Sequence, residues 1–67
     1  MKNRTSYRFK VYFLVRNIDI INKFKEKFRT TVNVNYVADI ETDEEGSRLL
    51  VESERRGFLK IREFKEL

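Results

Sequence analysis

The chain has 67 residues, of which 15 are Lys or Arg and 11 are Asp or Glu, and it contains no cysteine or histidine. This composition excludes disulfides, thiolate nucleophiles and the usual zinc sites, and it removes the commonest general base of enzymes. At this length we expect one domain over residues 1–67, with a disordered tail at residues 1–6, and we expect no enzymatic activity, no cofactor and no metal.

The first predicted element is a strand at residues 7–15, where apolar and polar residues alternate with a period of two. The apolar positions are Tyr7, Phe9, Val11, Phe13 and Val15, and the other face carries Arg8, Lys10, Tyr12 and Leu14. This pattern predicts a strand with one buried face.

A helix is predicted from Asn17 to about Arg29. The side chain of Asn17 can cap the first turn, and Asp19 places an acid where the helix dipole favours it. One apolar stripe is formed by Ile20, Ile21, Phe24 and Phe28. We therefore expect the helix to pack one side against a core and to expose the other.

A second strand is predicted at residues 32–40, where the alternation returns. A four-residue loop at 43–46 would join it to a third strand as a hairpin. In that register Ile40 lies opposite Leu49, and apolar residues meet apolar ones while acids meet bases. The other matched pairs are Glu41 with Arg48 and Ala38 with Val51. We expect this hairpin.

The segment after the second strand also fits the start of a helix. Thr42 and Glu45 have the spacing of a capping box, in which each side chain bonds the backbone N–H of the other. This alternative places Gly46 inside the helix, at a cost of about 1 kcal/mol relative to alanine. The hairpin is preferred for that reason.

The last segment, residues 54–67, has apolar residues at three-residue steps, namely Phe58, Ile61, Phe64 and Leu67. With Ser53 as a cap, this spacing predicts a second helix, and the alternative is a strand after a turn at 55–57. The predicted fold class is therefore α+β, a small, mostly antiparallel three-stranded sheet with two helices on one face. The predicted order is β-α-β-β-α, and the alternative order is β-α-β-β-β.

The sheet face opposite the helices is predicted to be basic and to contact nucleic acid. Its candidate binding residues are Arg8, Lys10, Tyr12, Asn33, Asn35 and Arg48. Cationic groups neutralise phosphates, asparagine amides bond base edges and a tyrosine ring stacks on bases. In the competing interpretation the cations only balance carboxylates on neighbouring strands, as on any solvated surface. Those carboxylates are Asp39, Glu41 and Glu52.

The sequence contains an acidic cluster and a set of apolar residues on the polar sheet face. The acidic cluster consists of Asp39, Glu41, Asp43, Glu44 and Glu45. Its spacing does not match an EF-hand loop, so we expect a solvated hairpin tip rather than a calcium or magnesium site.

Apolar residues interrupt the polar sheet face at Leu14, Val37 and Leu50, and a cluster of them would make a dimer or partner interface.

The order strand, helix, hairpin, helix resembles the β-α-β-β-α portion of LAGLIDADG homing endonucleases. The resemblance rests on residues 17–28, residues 49–53, and Phe58, Ile61 and Phe64. It implies that the sheet lies in the DNA major groove, where the facing residues would be Arg8, Lys10, Asn33, Asn35 and Arg48. The helix that names the family has no counterpart in this chain, so the resemblance does not imply nuclease activity.

We therefore expect a small, non-catalytic nucleic-acid-binding protein that uses its basic sheet face on duplex DNA. The chain lacks an eighteen-residue apolar run and a signal-peptide pattern, so we expect it to be cytoplasmic and away from membranes. The alternative is a protein-interaction module, such as a small viral or mobile-element inhibitor or adaptor. A homodimer through the sheet face is a further expectation.

Overall fold

A computed structural model describes residues 6–67 of the chain. Its elements are β1 (Tyr7–Phe13), α1 (Ile18–Phe28), β2 (Val37–Thr42), α2 (Glu44–Arg55) and β3 (Leu59–Glu66). The strands form one antiparallel sheet in the order β2-β1-β3, so β1 is central. The α+β class is confirmed, with three antiparallel strands and two helices, but the order is β-α-β-α-β rather than β-α-β-β-α.

β1 is the strand that the sequence predicted, and it ends at Phe13 rather than at Val15. Phe9, Val11 and Phe13 are buried on the helix side of the sheet. Of the tail expected at residues 1–6, residues 1–5 lie outside the described range. The carbonyl of Ser6 accepts a hydrogen bond of 2.8 Å from the N–H of Leu67, the residue after β3, and this bond extends the pairing of β1 with β3.

α1 confirms the predicted helix and its cap. The Oδ1 atom of Asn17 accepts hydrogen bonds from the N–H groups of Asp19 and Ile20, at 2.9 and 3.3 Å. Arg29 ends the helix in the left-handed region, with a φ of 52°. The apolar stripe packs against the core through Ile21, Phe24 and Phe28.

β2 begins at Val37 rather than at Val32, because the residues before it form a turn. The Oδ1 atom of Asn33 accepts hydrogen bonds from the N–H groups of Asn35 and Val37, at 2.8 and 3.0 Å. Tyr36 has a left-handed backbone with a φ of 62°. Asparagine side chains that bond nearby backbone favour turns over strands, so the alternation at 32–36 does not produce a strand.

The hairpin predicted after β2 is wrong, and a helix forms in its place. The Oδ1 atom of Asp43 accepts a hydrogen bond of 2.9 Å from the N–H of Gly46 and caps α2, so the cap is Asp43 rather than Thr42. Gly46 is buried against Thr42 and Phe28. Because glycine has no side chain, α2 can begin close to β2 and α1, which offsets the low helix propensity of glycine.

The prediction of a C-terminal helix is also wrong. Residues 59–66 form a strand, which was the alternative for this segment. β3 pairs with β1, with Leu59 opposite Phe13 and Phe64 opposite Phe9, and a β-bulge at Arg62 shifts the register. The extra residue of the bulge puts Ile61 on the same face of the sheet as Phe64, although they are three positions apart. A spacing of three residues imitates a helical pattern in the sequence.

Both helices cover the same face of the sheet, where the core lies. The fully or almost fully buried apolar residues are Phe9, Val11, Phe13, Ile21, Ala38, Ile40, Leu50 and Leu59. Every element therefore contributes to one continuous core. Within residues 6–67, neither helix has the length and apolarity that crossing a membrane requires.

Candidate nucleic-acid interface

The outer face of the sheet is the side opposite the helices. It carries Arg8, Lys10 and Tyr12 from β1, Asp39 and Glu41 from β2, and Lys60, Glu63 and Lys65 from β3. The three β1 residues lie where the sequence predicted. The face as a whole mixes both signs of charge, because each strand beside β1 contributes carboxylates.

Ion pairs engage Arg8 and Lys10 at one end of the outer face, where Lys65, the β3 neighbour of Arg8, is in no ion pair among residues 6–67. Arg8 lies opposite Glu41, with 3.7 Å between nitrogen and oxygen, and Lys10 lies 3.9 Å from Glu63. Asp39 is the β2 partner of Lys10. These contacts match the competing interpretation for Arg8 and Lys10, since neighbouring carboxylates reduce the attraction of both cations for phosphate.

Three predicted site residues lie off the sheet. Arg48 is on α2, where it pairs with Glu44 at 3.3 Å, because the predicted third strand is a helix at this point. Asn33 and Asn35 lie in the turn before β2, and the amide oxygen of Asn33 is engaged by the backbone. The two asparagines therefore do not lie on the sheet face from which they were predicted to bond base edges.

The apolar interruptions of the sheet face do not form a cluster. Leu50 is fully buried in the core, on α2. Val37 is half-buried at the start of β2, opposite Tyr12, while Leu14 is exposed beyond the end of β1. A dimer through these three residues has no continuous surface on the sheet face.

At the other end of the sheet, where β1 ends and β2 begins, Tyr12, Arg16 and Tyr36 form a compact group that we call the tyrosine–arginine cluster; Tyr12 is on the outer face and Tyr36 also packs against the core. The Cζ atom of Arg16 lies 4.0 Å from the ring centroid of Tyr36 and 6.0 Å from that of Tyr12. An Arg16 Nη2 group donates a hydrogen bond of 3.1 Å to the hydroxyl of Tyr12. The faces of aromatic rings attract cations, so the guanidinium lies over the Tyr36 ring while it donates to the Tyr12 hydroxyl.

Backbone hydrogen bonds fix both segments that carry this cluster. The N–H of Phe13 donates to the carbonyl of Tyr36 at 2.8 Å, and the N–H of Leu14 donates to the carbonyl of Phe58 at 2.9 Å. The Asn33 turn positions the residues just before Tyr36. The sequence predicted Tyr12 but missed Arg16 and Tyr36, and the turn-forming asparagines were the signal that Tyr36 leaves the strand.

The charge at this end differs from that around Arg8 and Lys10. In the row of residues that crosses the sheet at Tyr12, the β2 partner is Val37 and the β3 partner is Lys60, so the row contains no acid. Among residues 6–67, no carboxylate lies within 4.0 Å of the cationic nitrogens of Arg16 or Lys60. Two cations without an ion pair therefore adjoin two tyrosine rings.

A shallow apolar depression of about 340 Å³ adjoins the cluster through Tyr36. Its lining includes Ile18 at the start of α1 and Val34 in the turn before β2. The exposed fractions of these residues are 64% and 91%. Large apolar side chains that are this exposed are candidates for contact with another molecule.

The acidic segment does not form a hairpin tip. Asp43, Glu44 and Glu45 form the cap and the first turn of α2, where the helix dipole favours negative charge. Within the described range, no three acidic side chains lie close enough together to hold a metal ion.

A comparison of the chain with known protein families, characterised proteins and solved structures found no match. The observed order β-α-β-α-β also differs from the β-α-β-β-α order on which the resemblance to LAGLIDADG homing endonucleases was based. No residue role is therefore taken from that family.

Proposed function

We propose that the protein binds DNA without catalysing a reaction, and that the tyrosine–arginine cluster together with Lys60 is the contact surface. The observation that carries the proposal is the position of Arg16. Its guanidinium lies over the Tyr36 ring and bonds the Tyr12 hydroxyl, and no carboxylate within residues 6–67 forms an ion pair with it.

The chemistry of this surface fits nucleic acid. A guanidinium binds phosphate oxygens, and tyrosine rings stack on bases, with a contribution of about 1–3 kcal/mol for each stacked base. Ion pairs engage Arg8 and Lys10, and Lys65 is a single unpaired cation among carboxylates at their end, so within residues 6–67 the area of the sheet that combines unpaired cations with tyrosine rings is small. A small area of this kind favours a few nucleotides of single strand over the long duplex contact that a wholly basic sheet face would make.

The proposal is tested by fluorescence anisotropy with a labelled single strand of about 16 nucleotides and with the matching duplex. Affinity should fall as the salt concentration rises, and the single strand should bind more tightly. Arg16→Ala should weaken binding about tenfold and reduce the salt slope by about 1. Arg48→Ala is the matched control, because it removes the same charge from an ion pair on α2 and should change affinity less than about twofold.

Two further variants separate charge from stacking. Arg16→Lys keeps the charge but loses the planar group, and Tyr36→Leu removes one ring that holds Arg16. Both should weaken binding while leaving the salt slope near its wild-type value. The proposal fails if neither DNA binds at low salt, or if Arg16→Ala and Arg48→Ala lose affinity equally, since net charge alone would then explain binding.

A protein partner is the second candidate, and the exposure of Val34 and Ile18 favours it. These side chains rim the apolar depression beside Tyr36, and protein interfaces combine apolar side chains with tyrosine and arginine. A partner that docks here should be captured from nuclease-treated extract by the wild-type protein and by Leu49→Ser. Capture should be lost in Val34→Ser and Ile18→Ser, whereas a loss of capture after nuclease treatment alone would point to nucleic acid.

A further inference from the structure

The two edges of the sheet are protected to different degrees. At the β2 edge, the Oγ1 atom of Thr30 donates a hydrogen bond of 2.8 Å to the carbonyl of Asp39, and the N–H of Asn33 donates one of 3.0 Å to the carbonyl of Val37. The segment before β2 therefore covers part of that edge. β3 pairs with β1 on one side, and within residues 6–67 no strand pairs with its other side.

The direction of the β3 backbone groups follows from hydrogen bonds at its ends. The N–H of Leu67 donates to the carbonyl of Ser6, so Leu67 faces β1. Backbone groups alternate sides along a strand, which makes Lys65 and Glu63 face β1 as well. The groups that point away from the sheet are the N–H and C=O of Phe64 and Glu66, together with the C=O of Arg62, whose peptide also contains the β1-facing N–H of Glu63.

The open part of the edge is short and has a defined end. At the bulge, the N–H of Ile61 donates a hydrogen bond of 2.9 Å to the Oε2 atom of Glu54, so this donor is already engaged. From the bulge at Arg62 to Glu66, the outward backbone groups of β3 have no hydrogen-bond partner among residues 6–67. An exposed strand edge of this kind is a template for pairing with another strand.

The side chains of residues 62–66 are complementary to themselves in one antiparallel register. If Phe64 lies opposite the same residue of a second copy, Arg62 lies opposite Glu66 and Glu63 lies opposite Lys65. By two-fold symmetry each charge pair occurs twice. In this register the outward-pointing backbone groups of both copies also face each other, as antiparallel hydrogen bonding requires.

The neighbouring registers lack this match. A two-fold axis at Glu63 or Glu66 would place two carboxylates opposite each other, and an axis at Arg62 or Lys65 would place two cations together, which is unfavourable. A shift of the register by one residue would set outward backbone groups against groups that already bond β1. Among the two-fold registers centred on residues 62–66, only the one centred on Phe64 places no like charges at the axis.

The exposed surface of Phe64 favours the same arrangement. Its side chain is 57% exposed, although its ring contacts Tyr7 and Phe9 with centroid distances of 5.5 and 5.1 Å. The ring of a second Phe64 across the two-fold axis would cover part of this surface. Cross-strand aromatic pairs are among the more favourable pairs in a sheet.

We propose that two copies of the chain pair β3 with β3, antiparallel and centred on Phe64, so that the two sheets become one sheet of six strands. This arrangement differs from the dimer through the sheet face that the sequence suggested, and it leaves the tyrosine–arginine cluster open. It goes beyond the proposed function, since it requires no nucleic acid.

The dimer is tested by sedimentation equilibrium over a range of protein concentrations, where it should have twice the 8.2 kDa mass of the single chain. Glu63→Lys should raise the dissociation constant of the dimer at least about tenfold. The new lysine at position 63 of each copy would lie opposite Lys65 of the other copy, so the dimer would contain two pairs of like charges. Adding Lys65→Glu to that variant should restore dimerisation. Glu44→Lys on α2 makes the same charge change away from β3 and should leave the dimer intact.

A disulfide test covers the case in which a charge variant folds poorly. The chain has no cysteine, so Glu63→Cys with Lys65→Cys introduces the two thiols that this register places opposite each other. Their Cα atoms would be about 4.5 Å apart, within the range that a disulfide spans. Mild oxidation should give a covalent dimer, whereas Glu44→Cys with Arg48→Cys on α2 should not.

Three results would overturn the proposal. The first is a wild-type protein that stays monomeric up to about 1 mM, where even weak pairing would be populated. The second is a dimer that tolerates Glu63→Lys, or that the Lys65→Glu change does not restore. The third is the absence of a disulfide-linked dimer from the variant with cysteines at 63 and 65.

Discussion

Gly46 and Thr42 touch where α2 begins beside the end of β2, and this contact leaves no room for a side chain on residue 46. A Cβ atom added to Gly46 would overlap the Oγ1 atom of Thr42 and would lie 2.9 Å from its Cβ atom and 3.1 Å from the ring of Phe28. The close approach of the helix to the strand therefore depends on glycine.

Gly46→Ala should destabilise the protein, although alanine is the better helix former by about 1 kcal/mol. The added methyl group has to displace Thr42 or shift the helix, and overpacking of this kind costs about 1–3 kcal/mol. Urea unfolding followed by circular dichroism measures the change. In a Thr42→Ala background, Gly46→Ala should lower the free energy of unfolding by less, because the Oγ1 atom of Thr42 that the new methyl group would overlap is absent.

Ser47→Ala is the matched control for Gly46→Ala, since it makes an alanine at the next position of α2. Ser47 already has a Cβ atom and lies inside α2, where alanine has the higher helix propensity, so this variant should raise stability by a few tenths of a kcal/mol. Equal stabilisation by both variants would contradict the crowded contact at Gly46.

Leu50→Ala should cost about 2–5 kcal/mol, because Leu50 is fully buried in the core. Leu49→Ala should cost less than about 1 kcal/mol, since its side chain is 40% exposed. The comparison uses two adjacent leucines with the same substitution. The hairpin that the sequence favoured would reverse their order, because it paired Leu49 with the core residue Ile40, so chemical denaturation of the two variants separates the two structures.

β1 and α1 could be predicted because local and tertiary preferences agree there. The period of two over residues 7–13 matches a face that is buried, and Asn17 caps the helix as its side chain predicts. Elsewhere the decisive interactions are between distant residues. Gly46 has a low helix propensity, and its place in α2 is explained by its contact with Thr42. The bulge at Arg62 gives the apolar residues of β3 a spacing of three, which is typical of a helix.

The candidate site was predicted less well than the fold, for a related reason. Tyr12 was found because it alternates with buried neighbours on β1. Arg16 follows the strand and Tyr36 precedes the next one, so their meeting depends on the turn at Asn33 and on the pairing of β1 with β2. No local spacing encodes that contact.

Asp43→Ala should lower stability by about 1 kcal/mol, because it removes the acceptor for the N–H of Gly46 at the start of α2. Asp43→Asn keeps an oxygen acceptor and is an equally good cap, so its stability should remain within a few tenths of a kcal/mol of wild type. Thermal unfolding of the pair measures the difference. Equal losses in both variants would show that charge near the helix start, rather than the hydrogen bond, is what matters.

Glu54 joins the end of α2 to the bulge of β3, since its Oε2 atom accepts the N–H of Ile61 at 2.9 Å. The two residues are seven positions apart, and the turn between them contains Gly57, whose φ of 85° is in the left-handed region. The carboxylate thus satisfies a backbone donor that points away from β1, because Ile61 lies opposite Val11 at a position between hydrogen-bonded pairs of the ladder.

Glu54→Ala should cost about 1 kcal/mol rather than the larger penalty of a buried orphan donor, because the Ile61 N–H lies at an edge that water can reach. The sharper readout is hydrogen exchange followed by NMR. Exchange of the Ile61 N–H should accelerate at least about tenfold, which corresponds to the loss of roughly 1.4 kcal/mol of local protection. Glu54→Gln retains an oxygen acceptor, so it should accelerate exchange of the Ile61 N–H less than Glu54→Ala does. The N–H of Lys65 faces β1 and should exchange at its wild-type rate in both variants, so an equal acceleration at Ile61 and Lys65 would mean that β3 opens as a whole and that Glu54 does not protect a single donor.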